Sequence, residues 1–256
     1  MDYLAINKDT WNKRTKIHID SKFYDVEKFL ASASSLNDVE LTEVGDVKGM
    51  RLLHLQCHFG QDTLSWAKLG AVVTGVDLSS EAINKAKSLA EKLKLPANFI
   101  CDDVLIFGQH NKEKYDIVFT SYGVLCWLAD LDTWAKTVSD ALVKGGQFNL
   151  VEFHPFNDVL SGYAYFPSIE PDIEKEATYT ENAGDEKSTV ITWPHSISEV
   201  INALIKHGIT IQSFNEFVYS PYNCFEGLDE VKGKGFQLVK NGQQVPLLFS
   251  IKGVKA

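Results

Sequence analysis

Apolar positions change their spacing several times along this chain, and the changes divide it into elements. Between residues 51 and 152, short β-rich runs alternate with stretches where apolar residues recur every three or four positions. This is the rhythm of crossover units on a parallel sheet. Strands are predicted at 51–55, 71–77, 98–101, 116–120 and 147–152. One helix carries Ala82, Ile83, Ala86, Leu89, Ala90 and Leu93 on a single face; Ser79 or Ser80 caps it, Glu81 sits in its first turn and Pro96 closes it. A second starts near Asp132, presents Trp134, Ala135, Val138, Ala141 and Leu142, and is expected to stop at Gly145-Gly146.

After the fifth strand the rhythm breaks. Residues 155–187 contain Pro155, Pro167, Pro171, Gly162 and Gly184 among Phe156, Tyr163, Tyr165, Phe166 and Tyr179. So long an aperiodic stretch reads as a lid, an inserted hairpin or a disordered loop, and its aromatics favour an ordered lid. Ser196-Ile-Ser-Glu199 then matches a capping box, with Ile197, Val200, Ile201, Leu204 and Ile205 on one helical face up to Gly208. Two further β-rich runs, 209–219 and 245–252, flank a connector holding Gly227, Gly233, Gly235 and Gly242. It is too short for a crossover helix, so the pair is expected to be antiparallel. The first 47 residues hold Trp11, Arg14, His18, Phe23, Tyr24 and Phe29, then a polar stretch at 31–37. They read as cap helices, lying either over the mouth of the sheet or merely along its edge.

Composition narrows the partners. With 256 residues, 45% of them hydrophobic and 11% aromatic, the chain can bury a full core. Lys and Arg number 25 against 34 Asp and Glu, a net charge of −9, so nothing draws a nucleic acid from a distance. Cys57, Cys101, Cys126 and Cys224 are widely spaced and read as reduced thiols, with no metal site expected. A polar start and no apolar run near the roughly 20 residues of a membrane span make a cytoplasmic location the default expectation.

Candidate chemistry concentrates in Arg51-Leu-Leu-His-Leu-Gln-Cys-His-Phe-Gly-Gln-Asp62, where an apolar strand enters a small loop and then a helix, followed at strand-end spacing by Asp77. Main-chain N–H groups of such a loop hold a polar or anionic part of a ligand, and a carboxylate ending the next strand takes two ribose hydroxyls. Taken singly, each acid has a plainer reading: Asp77 as a turn or cap, Asp103 as a solvated turn acid with Asp102 as a competitor.

Several motifs in this order resemble the class I S-adenosylmethionine-dependent methyltransferases. Leu53-His-Leu-Gln-Cys-His-Phe-Gly60 stands where that family has an acidic residue and a glycine-rich loop, and Val76-Asp-Leu-Ser79 is similar to its ribose-binding strand end. Phe99-Ile-Cys-Asp-Asp-Val104 is similar to its adenine-reading segment, Tyr115-Asp-Ile-Val-Phe-Thr-Ser-Tyr122 to its fourth-strand motif, and Leu142-Val-Lys-Gly-Gly146 to the turn before strand five. The resemblance covers 48–256 and implies a Rossmann-like, doubly wound α/β fold: a mostly parallel seven-stranded sheet with an antiparallel last strand. A cap (1–47) and an inserted lid (about 155–193) complete the expected organisation.

It further implies methyl transfer from S-adenosylmethionine to a small-molecule acceptor. Asp77 and Leu78 would meet the ribose, Asp103 and Val104 the adenine, Gln56, Cys57, His58 and Gly60 the loop side, and Thr120, Ser121 and Tyr122 the methionyl arm. Gln56 and His58 depart from the family's glycines, and His54 from its acid. Methyl transfer needs alignment and water exclusion above all, with a base only for a protonated acceptor; His154 and His195 are the candidates, His18 less so. Trp11, Arg14, Tyr24, Tyr163, Tyr165 and Trp193 are candidate substrate or lid residues. Two other functions share the first-loop logic. A nicotinamide-dependent dehydrogenase lacks support, since no Gly-x-Gly-x-x-Gly occurs at the first turn; a non-catalytic metabolite-binding protein of the same fold is the other. The sequence sets no oligomeric state.

Overall fold

The apolar run at 51–55 forms the centre of the molecule. In the computed structural model, which describes residues 1–31, 33–223 and 225–256, three helices precede it: α1 (Tyr3–His18), α2 (Val26–Leu30) and α3 (Asp38–Val44). The alternating region then runs β1 (Arg51–Leu55), α4 (Gln61–Lys68), β2 (Val72–Asp77), α5 (Ser80–Leu93), β3 (Ala97–Cys101), α6 (Val104–His110), β4 (Tyr115–Ser121), α7 (Leu131–Ala141) and β5 (Leu142–Phe153). Next come α8 (Phe156–Leu160), the pair β6 (Asp172–Glu176) and β7 (Ser188–Thr192), α9 (Ile197–Lys206) and β8 (Ile209–Phe217). Five short strands follow, β9 (Tyr219–Ser220), β10 (Asp229–Val231), β11 (Gly235–Gln237), β12 (Val239–Lys240) and β13 (Gln243–Gln244), and β14 (Leu248–Lys255) ends the chain.

The main sheet has the order β3-β2-β1-β4-β5-β14-β8. Its first five strands are parallel, and β14 runs antiparallel to both β5 and β8. This is the Rossmann-like seven-stranded sheet expected of a methyltransferase. The order turns back beside β1, so the C-terminal ends of β1, β2 and β4 face one crevice, the position where open α/β sheets bind ligands. One core lies between the sheet and α7 and α9, around Trp134, Phe148 and Leu204. Another packs Leu64, Ile83, Ala86 and Leu89 beneath Phe59 and Phe99.

Ser79 is the cap of α5, its Oγ accepting the Ala82 N–H at 3.1 Å. Two expectations change. Helix α7 ends at Ala141, and Gly145-Gly146 lie inside β5, where pairing jumps from Tyr115↔Leu142 to Ile117↔Gln147. The glycines therefore make a bulge: Gly145 has φ +77°, and a Cβ at Gly146 would stand 2.9 Å from the Val143 carbonyl oxygen. The capping box at Ser196 is half formed. Ser196 Oγ accepts the Glu199 N–H, while the Glu199 carboxylate turns to His195 Nδ1 at 3.0 Å. The aperiodic stretch resolves into a short helix and the β6–β7 hairpin, and the last connector is folded into small ladders.

Among the described residues, no helix is long and apolar enough to cross a membrane. Cys57, Cys101 and Cys126 are free thiols, and Cys224 lies outside the described residues.

Candidate functional site

The turn from β1 to α4 is built from left-handed residues: Gln56 at φ 57°, His58 at 49° and Gly60 at 79°. Two of the three are not glycine, and each has contacts that hold it there. Gln56 Nε2 donates to the Val124 carbonyl at 2.8 Å, across the crevice from the end of β4. The His58 N–H donates to Asp77 Oδ2 at 2.7 Å, and its ring packs among Trp11, Tyr24 and Phe59. Gly60 is required for space as well, since a Cβ there would lie 2.7 Å from the Phe99 ring. Cys57 is buried beneath the turn, with Gly75 leaving room for its sulfur. His54, buried, meets Thr63 Oγ1 at 2.8 Å, so it ties β1 to α4; burial drives its pKa down to about 3, and it is neutral.

Asp77 closes the loop from the neighbouring strand, with Oδ1 accepting the Ser79 N–H at 2.8 Å and Oδ2 that of His58. Burial lifts its pKa to about 6 against the pull of those two amides. Each oxygen keeps a lone pair for a further donor. Leu78 follows, its carbonyl accepting from the Cys101 thiol. One strand over, Asp103 caps α6 by accepting the Leu105 N–H at 2.9 Å, and burial raises its pKa. Asp102 is occupied elsewhere, with His110. Val104 is buried at the start of that helix. At the end of β4, Thr120 Oγ1 donates to the Leu55 carbonyl, Ser121 is buried, and Tyr122 turns left-handed at φ 52° beside Phe153 and Tyr222.

The cap covers this turn. Asn7 on α1 pairs with Ile191 of β7 through both ends of its amide, donating at 2.8 Å and accepting at 3.1 Å. Thr10 adds a bond to the Thr189 carbonyl. Farther along α1, Arg14 is 4% exposed, with its guanidinium 5.5 and 5.4 Å from the Trp11 and Trp127 rings. One Arg14 nitrogen donates to Glu176 of β6 at 2.7 Å, while its buried Nε has no partner. His18 Nδ1 faces His58 Nε2 at 3.4 Å, and its Nε2 meets Thr178 Oγ1 at 2.6 Å. Tyr24 stacks on His18 and shares a hydroxyl contact with Tyr179.

Other expected residues lie elsewhere. His154 Nε2 lies 2.9 Å from Glu216 and its Nδ1 accepts the Phe156 N–H at 3.2 Å, so both ring nitrogens are engaged at the β5–β8 side. His195 bridges Glu199 and the Leu128 carbonyl. Trp193 is buried against Tyr3, with its N–H on the Cys126 carbonyl. Tyr163 is exposed and bonded to Glu174, and Tyr165 packs on Phe166; neither joins the crevice.

Three acids that sequence reasoning passed over belong to it. Glu152 is buried at the end of β5 and accepts four backbone N–H groups. Glu40, fully buried, accepts the Asn37 N–H at 3.1 Å and lies beside the Tyr122 hydroxyl; Asp62 accepts from Ser35 Oγ at 2.5 Å. Burial lifts Glu40 to about 7 and Asp62 to about 6. The signals were Asn37-x-x-Glu40, a capping-box pattern, and the single acid interrupting Leu150-Val-Glu-Phe153.

Comparison with known proteins agrees with the geometry. Residues 53–148 match the family model described as a methyltransferase domain. The chain is 31% identical over 119 residues to a ubiquinone biosynthesis O-methyltransferase of Coxiella burnetii, covering 46% of this chain and 49% of that protein. With the enzyme of the same name from Proteus mirabilis the identity is 25% over 152 residues, 53% and 62% of the two chains. The chain thus spans about half the length of the first of these relatives. A putative S-adenosylmethionine-dependent methyltransferase from Listeria monocytogenes superposes with TM-score 0.58 at 18% identity, over 85% of this chain and 97% of that one. The glycopeptide N-methyltransferase MtfA in complex with S-adenosylmethionine gives 0.56 at 17%, over 85% and 92%. The chain thus has the fold of the class I S-adenosylmethionine-dependent methyltransferases, and its residues 53–148 carry the match to a methyltransferase domain.

Proposed function

We propose that this protein transfers a methyl group from S-adenosylmethionine to a small-molecule acceptor. The observation that carries the reading is the Gln56–Gly60 turn, left-handed at three positions and tied to the Asp77 carboxylate at the C-terminal edge of the parallel strands. That carboxylate suits a ribose diol, since two oxygens meet two hydroxyls. Asp103 at the end of the next strand suits the amino group of adenine, and the Val104 N–H its ring. Two buried polar atoms without partners, Gln56 Oε1 and Arg14 Nε, suit an amino-acid zwitterion, one accepting from an ammonium and the other donating to a carboxylate. The residues present therefore fit S-adenosylmethionine, whose sulfonium, when bound, supplies an activated methyl group.

The rest is done by this chain. Trp11, Trp127 and the α1–hairpin cap keep water from the crevice, and Tyr122 with Glu40, Asp62 and Tyr222 forms its polar wall on the acceptor side. Since both nitrogens of His154 and of His195 are occupied, catalysis rests mainly on alignment, with a base drawn from the wall acids only where the acceptor is protonated. The name shared by the curated relatives makes a hydroxyl-bearing acceptor the first class to try. Isothermal titration with S-adenosylmethionine and S-adenosylhomocysteine tests the reading: binding of both is expected, and no heat from either at millimolar concentration removes it.

A further inference from the structure

Glu152 has no counterpart among the residues assigned so far, yet it is among the most heavily hydrogen-bonded side chains in the crevice. It sits one residue from the end of β5 with 5% of its surface exposed. Its carboxylate accepts the N–H groups of Gly123, Val124 at 2.8 Å and Leu125 at 3.1 Å, and that of its own neighbour Phe153 at 2.7 Å. Three consecutive amides of the segment that leaves β4 converge on this one anion. Burial pushes the carboxyl pKa up while those amides pull it down. Such an anion, taken out of water, is held only by the donors around it, and in return it fixes their backbone.

The fixed backbone has a second consequence. The Val124 carbonyl accepts from Gln56 Nε2 at 2.8 Å and from the Trp127 N–H at 3.3 Å. A carbonyl accepts and never donates, so it selects the NH₂ end of the Gln56 amide and leaves the oxygen turned the other way. That oxygen, Gln56 Oε1, is buried and has no partner. A lone buried acceptor costs about 1–3 kcal/mol unless a donor meets it.

We propose that Glu152 is a positioning residue for the cofactor: through the Gly123–Leu125 amides and the Val124 carbonyl it orients Gln56, whose Oε1 receives the α-ammonium group of S-adenosylmethionine. The inference rests on the cofactor reading above. Where the family has glycine and offers only backbone, this chain offers a side-chain acceptor, and the acid on β5 keeps it aimed. An amide oxygen so aimed, buried and without a donor, favours a cation bearing N–H groups there. The Arg14 guanidinium, on the side of Trp11 and Trp127, provides for the opposite charge.

The test compares two ligands that differ only in the amino-acid part. S-adenosylhomocysteine carries the ammonium and methylthioadenosine does not. Titration calorimetry on the wild type, Gln56→Gly, Glu152→Gln and Glu152→Asp gives each affinity. Gln56→Gly keeps the left-handed turn without strain, so it folds even where removal of the buried charge at 152 does not. Glu152→Asp keeps that charge but is one methylene too short to reach all three amides. Each variant is expected to weaken S-adenosylhomocysteine by about tenfold or more, the worth of a hydrogen bond to a charged group, and to leave methylthioadenosine within about twofold. A parallel loss of both ligands, or no change in either, overturns the proposal while the cofactor reading stands. A wild type that binds neither ligand overturns the reading itself.

Discussion

Asp77 is the residue on which the proposed ligand recognition turns, and its surroundings set a pH limit. Burial holds its pKa near 6, above the ordinary aspartate range, so below that pH the group is protonated and loses one acceptor for a diol. Affinity for S-adenosylhomocysteine is expected to be flat above pH 7 and to decline as pH falls through about 6, which titration between pH 5 and 8 reads directly. Asp77→Asn should weaken binding at least about tenfold at pH 7.5 and flatten that profile. The opposite case is His154. With its nitrogens given to Glu216 and the Phe156 N–H, His154→Gln should lower the melting temperature, at a cost of about 1–2 kcal/mol, and leave the pH dependence of turnover unmoved. The positions of both aspartates were legible in the sequence, Asp77 ending β2 and Asp103 capping the helix after β3. Glu152 was not, since its meaning depends on amides thirty residues earlier that pairing of β4 with β5 brings alongside.

Elements were legible wherever one period held over a whole segment. Strands β1 to β4 and helices α5 and α9 fall within one or two residues of expectation, because burial on one face and a cap at one end suffice to specify them. Gly145-Gly146 misled because a glycine pair serves a helix stop and a strand bulge equally well, and only the partner strand decides. The β6–β7 hairpin was one of three readings, since its strands are mostly exposed on β6 and carry little alternation. At the first turn, Gly60→Ala should destabilise by about 1–3 kcal/mol, seen as a lower denaturation midpoint, because φ of +79° and the Phe99 ring both oppose a Cβ. For the cap, Asn7→Ala removes two bonds between α1 and β7. Faster amide exchange over 3–18 and 188–192 is expected, with weaker ligand affinity and an unchanged sheet core; protection identical to wild type at both segments would show the two move independently.

At the scale of the whole molecule, buried ionisable groups pull stability in two directions. Glu40 at about 7 and Asp62, Asp77 and Asp158 at about 6 are all raised, chiefly by burial. The folded state holds their protons more tightly than the unfolded chain, so their contribution is present at low pH and is lost as pH rises through 6 to 7. His18 and His54 are depressed to about 3, again by burial, and theirs is present above pH 6.5 and lost on acidification towards 3. Glu40→Gln removes one of the raised acids while keeping a capping-box residue. It should raise the melting temperature at pH 8, by roughly 2–4 °C per kcal/mol relieved in a chain of this size, with the gain shrinking at pH 5.

The clamp between α1 and the β6–β7 hairpin joins residues about 160 to 185 positions apart in sequence. During synthesis, all five parallel strands have been made before Thr178 or Ile191 exists to grip the first helix. The strand ends that line the crevice are thus made before its roof, so the door is hung last on a frame already standing.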